Sequence, residues 1–294
     1  MKIVKYIKGI QMTNAFRKAA MAVAAVALCY MNTAGAEEPS LKSVQNGDAT
    51  ISYYAQGKGP LVLFIASTGR GTEEFGPLAE RLAERGYRVL RPEPRGIGKS
   101  QGPMEGVSFH DFAKDFAAVI KNEGDKAILA GHAYGNWIAR TIASDFPELS
   151  RGVVLVAAGG KSWPKELSDA ITMINDPAST REQRLAGLKL AFFAEGSDPT
   201  PWLEGWHQPV TKSQRAARKL TNRDDWWAGG SVPMLDLQGG ADPFRSAASR
   251  NELKDEFGDR VTVKVIDQAS HALPAEKPVE TADAIADWAD KLEK

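Results

Sequence analysis

The sequence predicts an α/β fold: a mostly parallel central sheet with helices on both faces, plus a helical cap inserted late in the chain. Several of the short runs rich in Val, Ile and Leu are apolar at every position rather than at alternate ones, as a strand covered on both faces requires. Between these runs the apolar residues recur at helical spacing. Strand–helix alternation of this kind gives parallel strands joined by right-handed crossovers. From Lys161 to Gly230 the alternation stops, and that interruption marks the insertion.

Taken in order, the strand candidates are Ala49–Tyr54, Leu61–Ile65, Tyr87–Leu90, Ala127–Ala130, Val153–Ala157, Met234–Leu237 and Val261–Ile266. Phe75, Leu78 and Leu82 share one helical face, Phe112, Phe116 and Val119 a second, and Val279, Ala282, Ile285 and Leu292 the last. The stretch 161–230 is too long for a plain loop. It holds Trp163, Trp202, Trp206, Trp226 and Trp227, five of the seven tryptophans. It reads as a helical cap over the carboxyl edge of a sheet built from residues 37–160 and 231–294. Some of these rings are expected to face a pocket and others to hold cap to body; Trp163 and Trp206 are the candidates for contact with a substrate.

The chain of 294 residues is formally neutral, 43% hydrophobic and 25% charged, which argues against disorder, collagen-like repetition and a multispan membrane protein. The charge is uneven. Residues 1–36 carry Lys2, Lys5, Lys8, Arg17 and Lys18 and no acid, so the rest is acidic by the same five charges. An acidic body argues against nucleic acid as a partner, because phosphate binding needs clustered Lys and Arg. The basic start, the apolar run Ala19–Tyr30 and the small residues Ala34-Gly35-Ala36 form the pattern of a secretory signal peptide. At about 12 residues the run falls short of the ~20 of a spanning helix. Export to a periplasm or to the exterior is therefore expected, in preference to an uncleaved anchor. Leu28 before Cys29 disfavours a lipoprotein. Cleavage after Ala36 would remove the single cysteine, and with it any disulfide, thiolate nucleophile or Cys-ligated metal; no membrane association is expected afterwards.

The segment 127–135 reads Ala-Ile-Leu-Ala-Gly-His-Ala-Tyr-Gly. Small residues two before and two after the central position allow a sharp strand-to-helix turn that exposes the central side chain. It resembles the nucleophile elbow of the α/β-hydrolase superfamily, with Ala133 where Gly-x-Ser-x-Gly has serine. Arg95-Gly96-Ile97-Gly98-Lys99-Ser100 is similar to that family's Arg-Gly-x-Gly-x-Ser loop. Gly239-Gly240-Ala241-Asp242 is similar to its acid loop, and Ser270-His271-Ala272-Leu273-Pro274 to its histidine loop. The order of these markers agrees with the family over residues 49–294. The resemblance implies that His271 is a general base and Asp242 the carboxylate that orients it. It also implies an oxyanion hole made by the N–H of Tyr134 and one from Ser67 or Thr68. Where the family usually has His-Gly, this chain has Ile65-Ala66-Ser67-Thr68-Gly69-Arg70-Gly71, with Arg70 a candidate for an anionic substrate group.

A methyl group cannot attack a carbonyl, so Ala133 leaves three readings: a serine removed by design, a natural variant in which His271 and Asp242 still do chemistry, or a protein that keeps only the pocket. In the second, His271 activates water or shuttles a proton on a substrate as in a cofactor-free lyase or isomerase. Ser67, Thr68 or Ser270 as a surrogate nucleophile would attack from a different direction. Gly98-Lys99-Ser100 lacks the earlier glycine of a phosphate loop, and no Gly-x-Gly-x-x-Gly follows the first strands. His132 is expected to pack or hydrogen-bond beneath the elbow, His110 to sit on the surface, and His207 in the cap to be structural; none has metal-ligand spacing. The expectation is an exported hydrolase acting on a small, largely apolar ester, lactone or related carbonyl compound, with no metal and no organic cofactor. A non-catalytic small-molecule binder on the same scaffold is the alternative.

Overall fold

The computed structural model describes residues 38–292; the expected signal peptide over residues 1–36 lies outside them. One sheet contains β1 (Ser40–Asn46), β2 (Ala49–Gln56), β3 (Leu61–Ile65), β4 (Arg88–Pro92), β5 (Ala127–His132), β6 (Ser150–Val156), β7 (Met234–Gly239) and β8 (Val261–Ile266), in the order β1-β2-β4-β3-β5-β6-β7-β8. The β1–β2 and β2–β4 pairings are antiparallel, and those from β4 to β8 are parallel. All seven expected strands form, with ends that move by a few residues. β1 was not anticipated. Its sequence, Ser-Leu-Lys-Ser-Val-Gln-Asn, is largely exposed, and it is held by its main-chain ladder to β2 through the two-residue turn at Gly47 and Asp48. Gly47 takes φ +55° there, a conformation open to glycine.

Burial on both faces follows from the strand residues themselves. Leu61, Leu63, Ile65, Leu129, Val153 and Leu155 pack on one face with α2 (Phe109–Glu123) and α3 (Gly135–Asp145). Val62, Phe64, Ile128, Ala130, Val154 and Val156 pack on the other with α1 (Gly76–Glu84) and α9 (Pro278–Ala289). Phe75, Leu78 and Leu82 are fully buried, as the helical spacing predicts. Two expected positions differ: Val279 is 49% exposed, while Ala282 and Ile285 of the same helix are buried, because the buried face of α9 begins at Thr281, and Leu292 lies past the helix end, half-buried. Buried apolar area contributes roughly 25 cal/mol per Å², so Val279 adds little to this interface.

Between β6 and β7 lie α4 (Lys165–Asn175), α5 (Arg181–Ala191) and α6 (Gln208–Lys219). Leu167, Ile174, Leu188, Phe192, Trp202 and Leu203 form their own apolar cluster, joined from the sheet side by Phe244 and Ala272. Beyond β7 lie α7 (Glu252–Phe257) and the short α8 (Leu273–Glu276). The carboxyl ends of β3, β5, β6, β7 and β8 open onto a common edge, where parallel sheets collect their functional loops. Among the described residues no helix is long and apolar enough to cross a membrane.

Candidate active site

The elbow follows from two glycines. A Cβ on Gly131 would stand 2.3 Å from the carbonyl carbon of Gly135, and one on Gly135 would stand 2.4 Å from the carbonyl oxygen of Ile65. β5, α3 and the end of β3 can approach this closely only without those side chains. Between them Ala133 takes φ +47°. A non-glycine residue held in this region costs about 1–3 kcal/mol, and the Ala133 N–H, donating to Val156 O at 2.9 Å, helps to hold it. The strained turn is therefore present although it displays a methyl.

A third glycine assembles the acid and histidine loops. A Cβ on Gly239 would come within 2.4 Å of the carbonyl oxygen of Ser270, so the two backbones touch there. The Ala241 N–H donates to Ala269 O at 2.9 Å, and the Ser270 hydroxyl donates to Ala241 O at 3.2 Å. This contact brings Asp242 Oδ2 to 2.9 Å from His271 Nδ1, while Asp242 Oδ1 accepts from the Phe244 N–H at 2.8 Å. The carboxylate accepts from Nδ1–H, which leaves Nε2 of the neutral ring as the basic nitrogen. Among the described residues Nε2 hydrogen-bonds to no protein atom. The imidazole is sandwiched by Phe244, with ring centres 4.2 Å apart, and Phe192, at 5.4 Å, and is 5% exposed.

His271 borders a small, partly open cavity that also meets Ala133, Tyr134, Ser67, Thr68, Trp163 and Trp206. Seven of the nine site residues expected from the sequence thus share one hollow, and Asp242 stands behind it. The main-chain N–H groups of Thr68 and Tyr134 have no protein acceptor among the described residues, so both are available to a ligand oxygen. Ser270 does not line the cavity.

Arg70 is a correction. It does not line the cavity, and its charge is already matched. Its guanidinium lies 2.7 Å from Glu74 Oε2, donates to Glu204 O at 2.7 Å, and is stacked 4.4 Å and 4.8 Å from the ring centres of Trp202 and Trp206. The five tryptophans also sort themselves: Trp202 and Trp226 are largely buried, Trp163 and Trp206 line the hollow, and Trp227 packs against Phe257.

His132 lies directly beneath. It is fully buried and its Nε2 donates to the main-chain oxygen of His271 at 2.7 Å. Burial, reinforced by the neighbouring His271, pushes its pKa down to about 3, so it stays neutral. Glu74 Oε1 stands 3.9 Å from His132 Nδ1 without bonding to it; burial pushes the Glu74 carboxyl up, against the opposing pull of Arg70. His110 pairs with Asp145 at the surface, and His207 precedes α6, its backbone N–H donating to Gly69 O.

The sequence reading did not anticipate Asn136, Trp137, Ile171, Phe192 and Phe244 as lining residues. Asn136 and Trp137 could have been found, since the first turn after an elbow overlooks the same space, and Phe244 follows Asp242 by two residues; Ile171 and Phe192 come from segments without a motif. Among the described residues no group of three or more His, Cys, Asp or Glu is arranged to hold a metal ion.

Comparison with known proteins agrees with this architecture. Residues 62–284 match the model of the alpha/beta hydrolase family. The 2-(acetamidomethylene)succinate hydrolase of Mesorhizobium japonicum is 34% identical over 116 residues, 39% of this chain and 41% of that protein. The pyrrolizixenacetamide deacetylase of Xenorhabdus hominickii is 30% identical over 122 residues, 40% and 45% of the two chains. The match thus spans less than half the length of either relative. In fold, the crystal structure of E-2-(acetamidomethylene)succinate hydrolase superposes with a TM-score of 0.71 at 23% identity, covering 86% of this chain and all of that one. An esterase from Exiguobacterium antarcticum gives 0.70 at 20% identity, covering 85% and 99%. The elbow and the loops after β7 and β8 all fall within the matched span of residues 62–284, which covers well over half of the sequence, and the chain belongs to the alpha/beta hydrolase family.

Proposed function

We propose that the protein hydrolyses a small, largely apolar ester, lactone or related carbonyl compound with His271 as a general base toward water. One observation carries this reading: Nδ1 of His271 is committed to Asp242 at 2.9 Å, while its other nitrogen is without a protein partner in a cavity that also holds the Ala133 methyl. Nε2 takes a proton from water as the water oxygen bonds to the carbonyl carbon. The carbonyl electron pair moves onto its oxygen, held by the N–H groups of Tyr134 and Thr68. When the tetrahedral species collapses, the carbon–leaving-group bond breaks and the departing oxygen takes the proton back from Nε2. Asp242 stays ionised throughout and stabilises the imidazolium.

Losing the nucleophile does not remove the rest of the machinery, since a site without its serine retains roughly 10³-fold acceleration from its remaining groups. The names of the relatives, hydrolases and an esterase, support the same class of reaction, and the charge pattern of residues 1–36 supports export. The methyl at position 133 favours a second reading, a ligand-binding protein on this scaffold. A panel of short esters and lactones separates the two. His271→Ala should abolish turnover, and Ala133→Ser should raise it by at least tenfold with a burst of covalent acyl-enzyme. Binding without turnover in the parent, together with no gain from Ala133→Ser, would favour the binder.

A further inference from the structure

Next to the His271 hollow lies a second, larger and open cavity, and the two share Asn136, Trp137, Gly159 and Trp163 as a common wall. The chemistry changes across that wall. The second cavity is lined by Arg140, Lys161, Arg218 and Arg223, and by no acid among the described residues. Of these cations only Lys161 has an acid within 4 Å, Glu256 at 2.8 Å. Arg218 and Arg223 are exposed and lie over the rings of Trp137 and Trp227, at 5.2 Å and 3.9 Å from their centres, with no ion-pair partner among the described residues. Arg140 is 1% exposed. Its Nη1 donates to Trp227 O at 3.1 Å and its Nε has no partner. Asp236, the acid whose charge Arg140 feels most, is already bonded to Arg245.

A buried guanidinium without a carboxylate is costly to maintain, and here it stands at the base of a cleft whose rim adds two unpaired cations. Burial lowers the pKa of Arg140 to about 9, which still leaves it charged at neutral pH. Guanidinium groups stacked on aromatic rings present their N–H edges in a fixed plane suited to a carboxylate.

We infer that this basic, tryptophan-lined cleft is an anion subsite, and that the ligand is a small organic acid whose carboxylate sits among Arg140, Arg218 and Arg223 while its apolar part reaches the His271 hollow. This deepens the proposed function and rests on it only for the statement that a carbonyl of the same molecule is hydrolysed. Arg70, the cation that the sequence suggested for this role, is neutralised by Glu74, whereas these arginines are not.

The test uses binding, so that it does not depend on turnover. Titration of the protein with 4-phenylbutanoate and with the uncharged 4-phenylbutanamide is followed by tryptophan fluorescence. The carboxylate should bind at least tenfold more tightly at low salt, and the preference should shrink in 0.5 M NaCl, where screening is strong. In the double variant Arg218→Gln, Arg223→Gln, whose side chains are exposed and whose fold is checked by its thermal melt, the preference should fall to within about twofold. His271→Ala should keep it. Equal affinity for acid and amide, a preference that survives in the double variant, or no binding of the carboxylate overturns the inference. Loss of all ester turnover with the preference intact removes the proposed reaction and leaves the anion subsite standing; ester turnover with no preference does the reverse.

Discussion

Two histidines with neighbouring carboxylates stand side by side, and they have opposite characters. His271 and His132 have ring centres 5.9 Å apart, and each has an acid beside it. His271 meets Asp242 at 2.9 Å through Nδ1 and turns its other nitrogen to a cavity. His132 is fully enclosed, its Nε2 is used up on the main chain of His271, and Glu74 stays at 3.9 Å, beyond hydrogen-bonding distance. The residue types are the same. What would let one histidine serve as a base while the other can only be a strut is which ring nitrogen remains unspent and whether the ring borders space that a ligand can enter.

Three substitutions sharpen that contrast. Glu74→Ala should act on stability: it leaves the buried Arg70 guanidinium without its acid, and breaking a buried pair from one side costs about 3–5 kcal/mol, read as a lowered urea midpoint. Asp242→Asn should act on rate. If the proposed reaction is right, kcat/KM on a responsive ester should fall about 10²-fold or more, because the amide permits the wrong tautomer of His271, with the urea midpoint displaced far less than in Glu74→Ala. The smallest effect belongs to His132→Gln, whose amide can still donate to His271 O but cannot titrate. The unfolded chain protonates His132 near pH 6.5 and the folded one only near pH 3. Parent stability should therefore fall as pH drops from 6.5 toward 3, by up to about 1.4 kcal/mol per pH unit. Urea unfolding at pH 6.5 and pH 5 should show the parent losing about 1–2 kcal/mol more than the variant, and equal losses would remove the assigned role.

The sheet was legible because strands such as β3 are apolar at every position and most of the others hold apolar runs, a signal that survives without any knowledge of neighbours. β1 was not, since its pairing uses main-chain groups and leaves Lys42 and Gln45 in solvent. Val279 fitted the helical period yet is exposed, because periodicity gives the spacing of a face and not where its burial begins. Asp242 and His271 were singled out by the resemblance of their loops to those of the α/β-hydrolases, and it is the contact of Gly239 with Ser270 that brings the two loops together. Arg70 was misjudged for a physical reason: a sequence displays a charge but not its partner, and Glu74 one turn on together with Trp202 and Trp206 from a distant segment absorb it. The unpaired cations at 140, 218 and 223 are drawn from α3, α6 and the loop before β7, and only folding brings them to one cleft.

The loop that carries Ser67 and Thr68 is stitched to the insertion at three points: Arg70 onto Glu204 O, the Gly69 N–H onto Gln214 Oε1 at 2.8 Å, and the His207 N–H onto Gly69 O at 2.8 Å. Roof and donor loop are thereby one cooperative unit in the sense of local unfolding. Heat that melts the helices between β6 and β7 should release the loop in the same step, so inactivation and the loss of helical signal from that region should coincide, ahead of the sheet beneath.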